Sequence, residues 1–157
     1  KKNAKVTGID ENAFNIKQAK EHAKIKSLKI NYINQSLDFF FKKNKKKFDL
    51  ILCLEVLEHV NKPVKLLNKF EYLLTDTGNG FISTCVDCPT IDHVYHFKSV
   101  EEIRQMIADS KLFICSEKVL PVEDLPMEEI IEKKITINYF FQIILIIYKI
   151  NIICINN

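Results

Sequence analysis

Two carboxylates and an imidazole stand close together at Glu55, Glu58 and His59, within the run FDLILCLEVLEHV that spans Phe48 to Val60. If the chain turns helical after Leu54, spacings of three and one bring all three side chains onto one face. Acid, acid and imidazole are donors for a hard or borderline divalent ion, Mg²⁺ or Mn²⁺, with positions left open for substrate oxygens. Such an ion would act as a Lewis acid on a vicinal diol or catechol. Without it, His59 beside Glu58 can take a substrate proton as general base, or the pair can simply favour the first turn of a helix. Downstream, His93 is available as a fourth ligand, and His93 or His96 can line an acceptor pocket or lie on the surface. Cys85 and Cys88 form a lone CxxC, a weak signal for zinc or redox work when no second pair accompanies it.

These groups need a rigid support, and the apolar run from Phe48 to Leu54 suits a strand buried on both faces of a parallel sheet. Open α/β sheets bind their ligands at the carboxyl ends of such strands. Before it, Lys5 to Asp10 reads as a short strand ending in an acid, and Asn12 as the cap of a helix to about Ala23. Ala13, Ile16, Ala19 and Ala23 share one face of that helix. A second strand covers Ile30 to Ile33, then a turn at Gln35-Ser36-Leu37-Asp38, an apolar patch from Phe39 to Phe41, and a solvated lysine loop from Lys42 to Lys47. After the acidic turn, Pro63 opens a helix with Val64, Leu67, Phe70 and Leu74 facing inward. Gly78-Asn79-Gly80 ends it and leads into a strand from Phe81 to Cys85.

Beyond a polar connection, Ser99 with Glu102 makes a capping box for a helix to about Ser110. Leu112 to Leu120 is a strand, Pro121 to Glu132 a connector with a short helical turn, and a last strand begins at Ile135. The charge-free run from Ile135 to Tyr148 falls short of the roughly 20 residues of a membrane span. The expected organisation is a domain over residues 1–138 and a hydrophobic tail over 139–157 that is a last strand or loosely determined. Alternating strands and helices predict a parallel α/β sheet closed by a C-terminal antiparallel hairpin.

With 157 residues, 47% hydrophobic and 27% charged, the chain can bury a real core. Its net charge of +3 is modest, and Arg104 is the only arginine among 23 basic residues, which disfavours nucleic acid as a partner. Five cysteines without a signal-peptide pattern point to a reducing, cytoplasmic setting.

VTGID at 6–10, AKEHA at 19–23, INY at 30–32, the FDLILCLEVLEHV run and FIST at 81–84 together resemble the class I S-adenosylmethionine-dependent methyltransferases, in particular the ubiquinone-biosynthesis O-methyltransferases, over about residues 5–115. The resemblance implies a Rossmann-like parallel sheet with helices on both faces, S-adenosylmethionine as methyl donor, and O-methylation of a small hydroxylated acceptor. It implies that Asp10 holds the ribose diol, that the turn at Ser36, Leu37 and Asp38 borders the adenine, and that Leu54 lines the cofactor pocket. Glu55, Glu58, His59 and His93 would be the metal set, as in similar ExxEH turns of ubiquinone and small-RNA 3′-end methyltransferases.

One departure is plain: the family's first strand, its glycine-rich loop and the helix after them would precede residue 5 and are absent from this sequence. The expectation is a fragment, in which the strands ending at Asp10 and beginning at Phe48 lack a neighbour and expose apolar faces. Two other functions compete: 2′-O-methylation of an RNA 3′ end, which the scarcity of Arg disfavours, and a truncated, inactive binding module.

Overall fold

A polar cap ahead of an apolar stripe starts a helix at Asn12, whose Oδ1 accepts the Phe14 amide at 2.9 Å. The computed structural model describes residues 4–88, 90–121, 128–129 and 141–149, which fall into two units, 1–45 and 46–157. In the first unit, β1 (Val6–Asp10) and β2 (Ile30–Asn34) pair in parallel, Val6 opposite Ile30 and Asp10 opposite Asn34. Helix α1 (Ala13–Ile25) connects them and buries Ile16 and Ala23, while Ala13 is exposed.

The expected turn and lysine loop after β2 are corrected in part. Leu37–Lys43 forms a short helix, α2, with Ser36 Oγ accepting the Phe39 amide at 3.3 Å. Asp38 in its first turn and Lys42 and Lys43 in its last complement the helix dipole, so two of the lysines serve a helix end.

The second unit is a four-stranded sheet in the order β3-β4-β6-β5. Strands β3 (Phe48–Leu54) and β4 (Leu74–Val86) run parallel. The last strand, β6 (Phe141–Lys149), lies antiparallel between β4 and β5 (Leu112–Pro121), which is the expected terminal hairpin. The rest of the tail, and residues 122–127 and 130–140 with the expected helical connector and the start expected for the last strand, lie outside the described residues.

Burial of β3 on both faces is not what the structure shows. Leu50 and Leu52 are 56% and 62% exposed, and Leu54 is also exposed, whereas Cys53 is buried. Among the described residues β3 pairs only with β4, and the alternate side chains Leu50, Leu52 and Leu54 on one of its faces are exposed.

Helix α3 (Pro63–Leu73) buries Leu66, Leu67, Phe70 and Leu73, so the inward stripe is rotated from the expected one and Leu74 already belongs to β4. The glycines do not make a plain turn before a strand. Pairing jumps from Phe48 opposite Leu74 to Leu50 opposite Asn79, so residues 75–78 bow out of the ladder within β4. A Cβ on Gly78 would lie 2.8 Å from the Phe48 carbonyl oxygen, which is why the bow needs glycine there. Helix α4 (Val100–Asp109) begins as expected: Ser99 Oγ accepts the Glu102 amide at 3.2 Å, and Glu102 Oε2 accepts the Lys98 amide at 2.8 Å. The core of this unit is built on Leu57, Leu67, Ile82, Phe97, Ile107 and Ile147. Among the described residues no helix is long and apolar enough to cross a membrane.

Candidate functional site

The acidic turn is not a continuous helix. Glu55 takes a left-handed conformation, φ 50°, at the end of β3, a strain of about 1 kcal/mol for a residue with a Cβ. Its amide donates to the Ser83 carbonyl at 3.0 Å, and its Oε1 accepts the Ser83 hydroxyl at 2.5 Å. A single turn of 3-10 helix, Leu57–His59, follows. The expected shared helical face for Glu55, Glu58 and His59 is therefore corrected: the positive φ at Glu55 breaks the helical path before it starts.

Glu58 turns inward and is 1% exposed. The Thr84 hydroxyl donates to its Oε2 at 2.6 Å, and its backbone carbonyl accepts the amides of Val94 and Tyr95 at 2.8 and 2.9 Å. One residue thus ties the end of β3 to β4 and holds the following loop in place. His59 and His93 are each oriented by a backbone carbonyl: Nδ1 of His59 donates to Asp92 at 2.9 Å, and Nδ1 of His93 to Cys88 at 2.7 Å. That tautomer leaves Nε2 of each ring with its lone pair, as in metal-ligating histidines. The rings meet edge to face, centroids 5.0 Å apart, and His59 Nε2 is 4.0 Å from Glu58 Oε1. Exposed Asp92, beside His59, is held below the usual carboxylate range chiefly by the Thr90 hydroxyl.

Ligand atoms of Glu58, His59 and His93 all lie within 4.8 Å of one another. Glu55 forms a group of that size with Glu58 and Cys85, and Cys85, Cys88 and His93 form a third. Among the described residues His96 joins none of these groups, and its Nε2 donates to the His93 carbonyl at 3.1 Å.

In the first unit Asp10 ends β1 on the rim of a hollow of about 290 Å³ lined also by Gly8, Asn15 and Tyr32. Its Oδ1 accepts the Asn12 amide at 2.7 Å and its Oδ2 the Asn15 side-chain amide at 3.1 Å. Each carboxylate oxygen retains a further lone pair, so this capping role leaves room for a diol. Ser36 caps α2, half-buried Leu37 is its first residue, and Leu54 is the exposed tip of β3.

Sequence reasoning passed over Ser83 and Thr84, taking them as ordinary strand residues. A signal was available: two hydroxyls near the carboxyl end of an apolar strand, next in the sheet to a strand that ends in acids. Cys85, following them, is the other omission from the acidic cluster. Burial pushes the thiols of Cys53 and Cys85 up to about 12, helped at Cys53 by the charges of Glu58 and Glu55 and at Cys85 by its bond with Cys88. At neutral pH, alkylation followed by peptide mapping should therefore label exposed Cys115 at least about 100-fold faster than Cys53 or Cys85. Labelling of native Cys53 at the rate of Cys115 would contradict its burial.

A family model described as "Methyltransferase domain" matches residues 1–140. The chain belongs to the methyltransferase domain family. Two curated relatives, both named ubiquinone biosynthesis O-methyltransferase, agree. The one from Pelagibacter ubique is 44% identical over 81 residues, 52% of this chain and 33% of the relative. The one from Coxiella burnetii is 38% identical over 84 residues, 54% of this chain and 36% of the relative. The matched part spans about a third of the length of these relatives.

The methyltransferase domain also shares its fold with solved structures. A S-adenosylmethionine-dependent methyltransferase from Clostridium acetobutylicum is similar with a TM-score of 0.67 at 9% identity, over 94% of this chain and 76% of that one. The [4+2]-cyclase SpnF reaches 0.69 at 10% identity, over 92% and 66%. At these identities the likeness is one of fold alone, and a cyclase among them shows how little fold dictates chemistry. The class I resemblance and the Rossmann-like α/β architecture are both confirmed, while the RNA-end and inactive-module alternatives find no support in these relatives.

Proposed function

We propose that this methyltransferase domain carries out O-methylation of a small hydroxylated acceptor with S-adenosylmethionine as donor, in the reducing cytoplasm. The observation that carries this is the cluster of Glu58, His59 and His93 beyond the ends of β3 and β4, in a chain related to ubiquinone biosynthesis O-methyltransferases. Asp10 is assigned the ribose hydroxyls, with Ser36 and Leu37 bordering the adenine. With no ion bound, His59 is the base: Nδ1–H is committed to the Asp92 carbonyl, so Nε2 carries the lone pair that takes the acceptor's hydroxyl proton. The acceptor oxygen then attacks the methyl carbon as its bond to sulfur breaks, and the proton remains on His59.

Glu58, His59 and His93 fit a divalent ion, because two imidazoles are already fixed in a ligating tautomer beside a buried carboxylate, and Glu55 extends the acidic side. When bound, Mg²⁺ or Mn²⁺ supplies Lewis acidity that favours the deprotonated acceptor.

Calorimetry of S-adenosylhomocysteine binding tests the donor, using this chain and the same chain fused behind the N-terminal segment of the Pelagibacter relative. Binding by the fused protein is expected, and no binding by either form would overturn the assignment. In whichever form binds, Asp10→Ala should weaken binding at least about tenfold through loss of the diol contact. Its cost in stability should be only about 1 kcal/mol, from the lost bonds at the start of α1. A variant that binds as well as the parent would leave Asp10 a helix-capping residue and nothing more.

A further inference from the structure

We propose that Cys85, Cys88 and His93 form a second site, one for a thiophilic divalent cation such as Zn²⁺, which draws His93 away from the carboxylate side of the cluster. Three observations converge on it. The two sulfurs and an imidazole nitrogen lie within 4.8 Å of one another, and Nδ1 of His93 is 3.7 Å from Cys85 Sγ. The connecting loop is already bent: Asp87, between the cysteines, has φ 58° and donates its amide to the Phe97 carbonyl at 2.8 Å. Cys85 is buried and Cys88 half-buried, so the site is shielded on one side and reachable on the other.

The spacing Cys-x2-Cys-x4-His is compact, and two thiolates with one imidazole leave the fourth position of a tetrahedral ion to water or an incoming anion. Sulfur ligands also separate this site chemically from its neighbour, since thiolates select Zn²⁺ where carboxylates suit Mg²⁺ or Mn²⁺. Burial keeps Cys85 protonated at neutral pH, so an arriving ion must release its proton, and the nearby carboxylates of Glu55 and Glu58 favour the cation that does so. Ligation by Nδ1 of His93 would move the ring proton to Nε2 and break the bond to the Cys88 carbonyl. The existence of the site does not depend on the methyl-transfer proposal.

The test is a titration of the metal-free, reduced chain with Co²⁺, reading the near-ultraviolet thiolate-to-metal charge-transfer band, followed by competition with Zn²⁺. One equivalent is expected to give the band and Zn²⁺ to abolish it. Cys88→Ser should weaken Co²⁺ affinity at least about tenfold and reduce the band, while Cys115→Ser should leave it unchanged. Circular dichroism of Cys88→Ser shows that the variant is folded, and if it is not, His93→Gln with the same loss serves instead. Absence of the band overturns the site. So does a cobalt spectrum without thiolate character that survives Cys88→Ser and is lost in Glu58→Gln, which would place the ion among the carboxylates.

Discussion

Replacing Glu58 by alanine is expected to lower stability by roughly 2–4 kcal/mol and to abolish the methyl transfer proposed above. The stability loss has two parts: the buried Thr84 hydroxyl loses its acceptor, and a cavity opens where the side chain was. Glu58→Gln separates structure from chemistry. Its amide oxygen can still accept from Thr84 in a side chain of nearly the same shape, so stability should stay within about 1 kcal/mol of the parent. The anionic donor beside His59 and His93 is lost, and activity should fall at least about 100-fold. Urea denaturation and initial rates of methyl transfer to a catechol check both. A glutamine variant with full activity would remove Glu58 from the chemistry, and an alanine variant as stable as the parent would contradict its burial against Thr84.

The second large effect is expected within the sheet, in the β4–β6 ladder. Gly80 and Ile147 are direct partners across the β4–β6 ladder, and a Cβ on Gly80 would lie 2.6 Å from Ile147 Cγ1 and 2.8 Å from its Cδ1. Ile147 is completely buried, so it has little space to retreat into. Gly80→Ala should therefore destabilise by about 1–3 kcal/mol and Ile147→Ala by about 2–5 kcal/mol. Together they should cost less than the sum, because the smaller side chain vacates the space that the new methyl needs. Activity of Gly80→Ala should fall as well, since β4 carries Ser83 and Thr84, which hold Glu55 and Glu58. Strict additivity in thermal or urea melts would show that the two residues do not meet.

Local chemistry was legible wherever a signal and its partner lay within one turn. Asn12 and Ser99 start their helices because a side-chain oxygen finds an amide two or three residues along the same chain. Ser36 does likewise, but the apolar patch after it hid α2 because seven residues are too few to show a helical period. The strands and their alternation with helices were legible for the same reason, and the run that ends in the ExxEH turn with the four other stretches of likeness sufficed for the family.

Residue types and their spacing were enough to bring two acids and an imidazole together after an apolar strand and to alternate strands with helices. Which of those groups meet depends on how the elements pack. Glu58 points at Thr84, 26 residues away, and His93 stands against both His59 and Cys85 because the loop after β4 is fastened to the Glu58 carbonyl. The left-handed Glu55, the bare face of β3 and the wedging of β6 between β4 and β5 arise in the same way. Spacing along a chain specifies which side chains share a face of one element. Contacts between elements depend on sheet register and loop path, which short-range preferences do not encode.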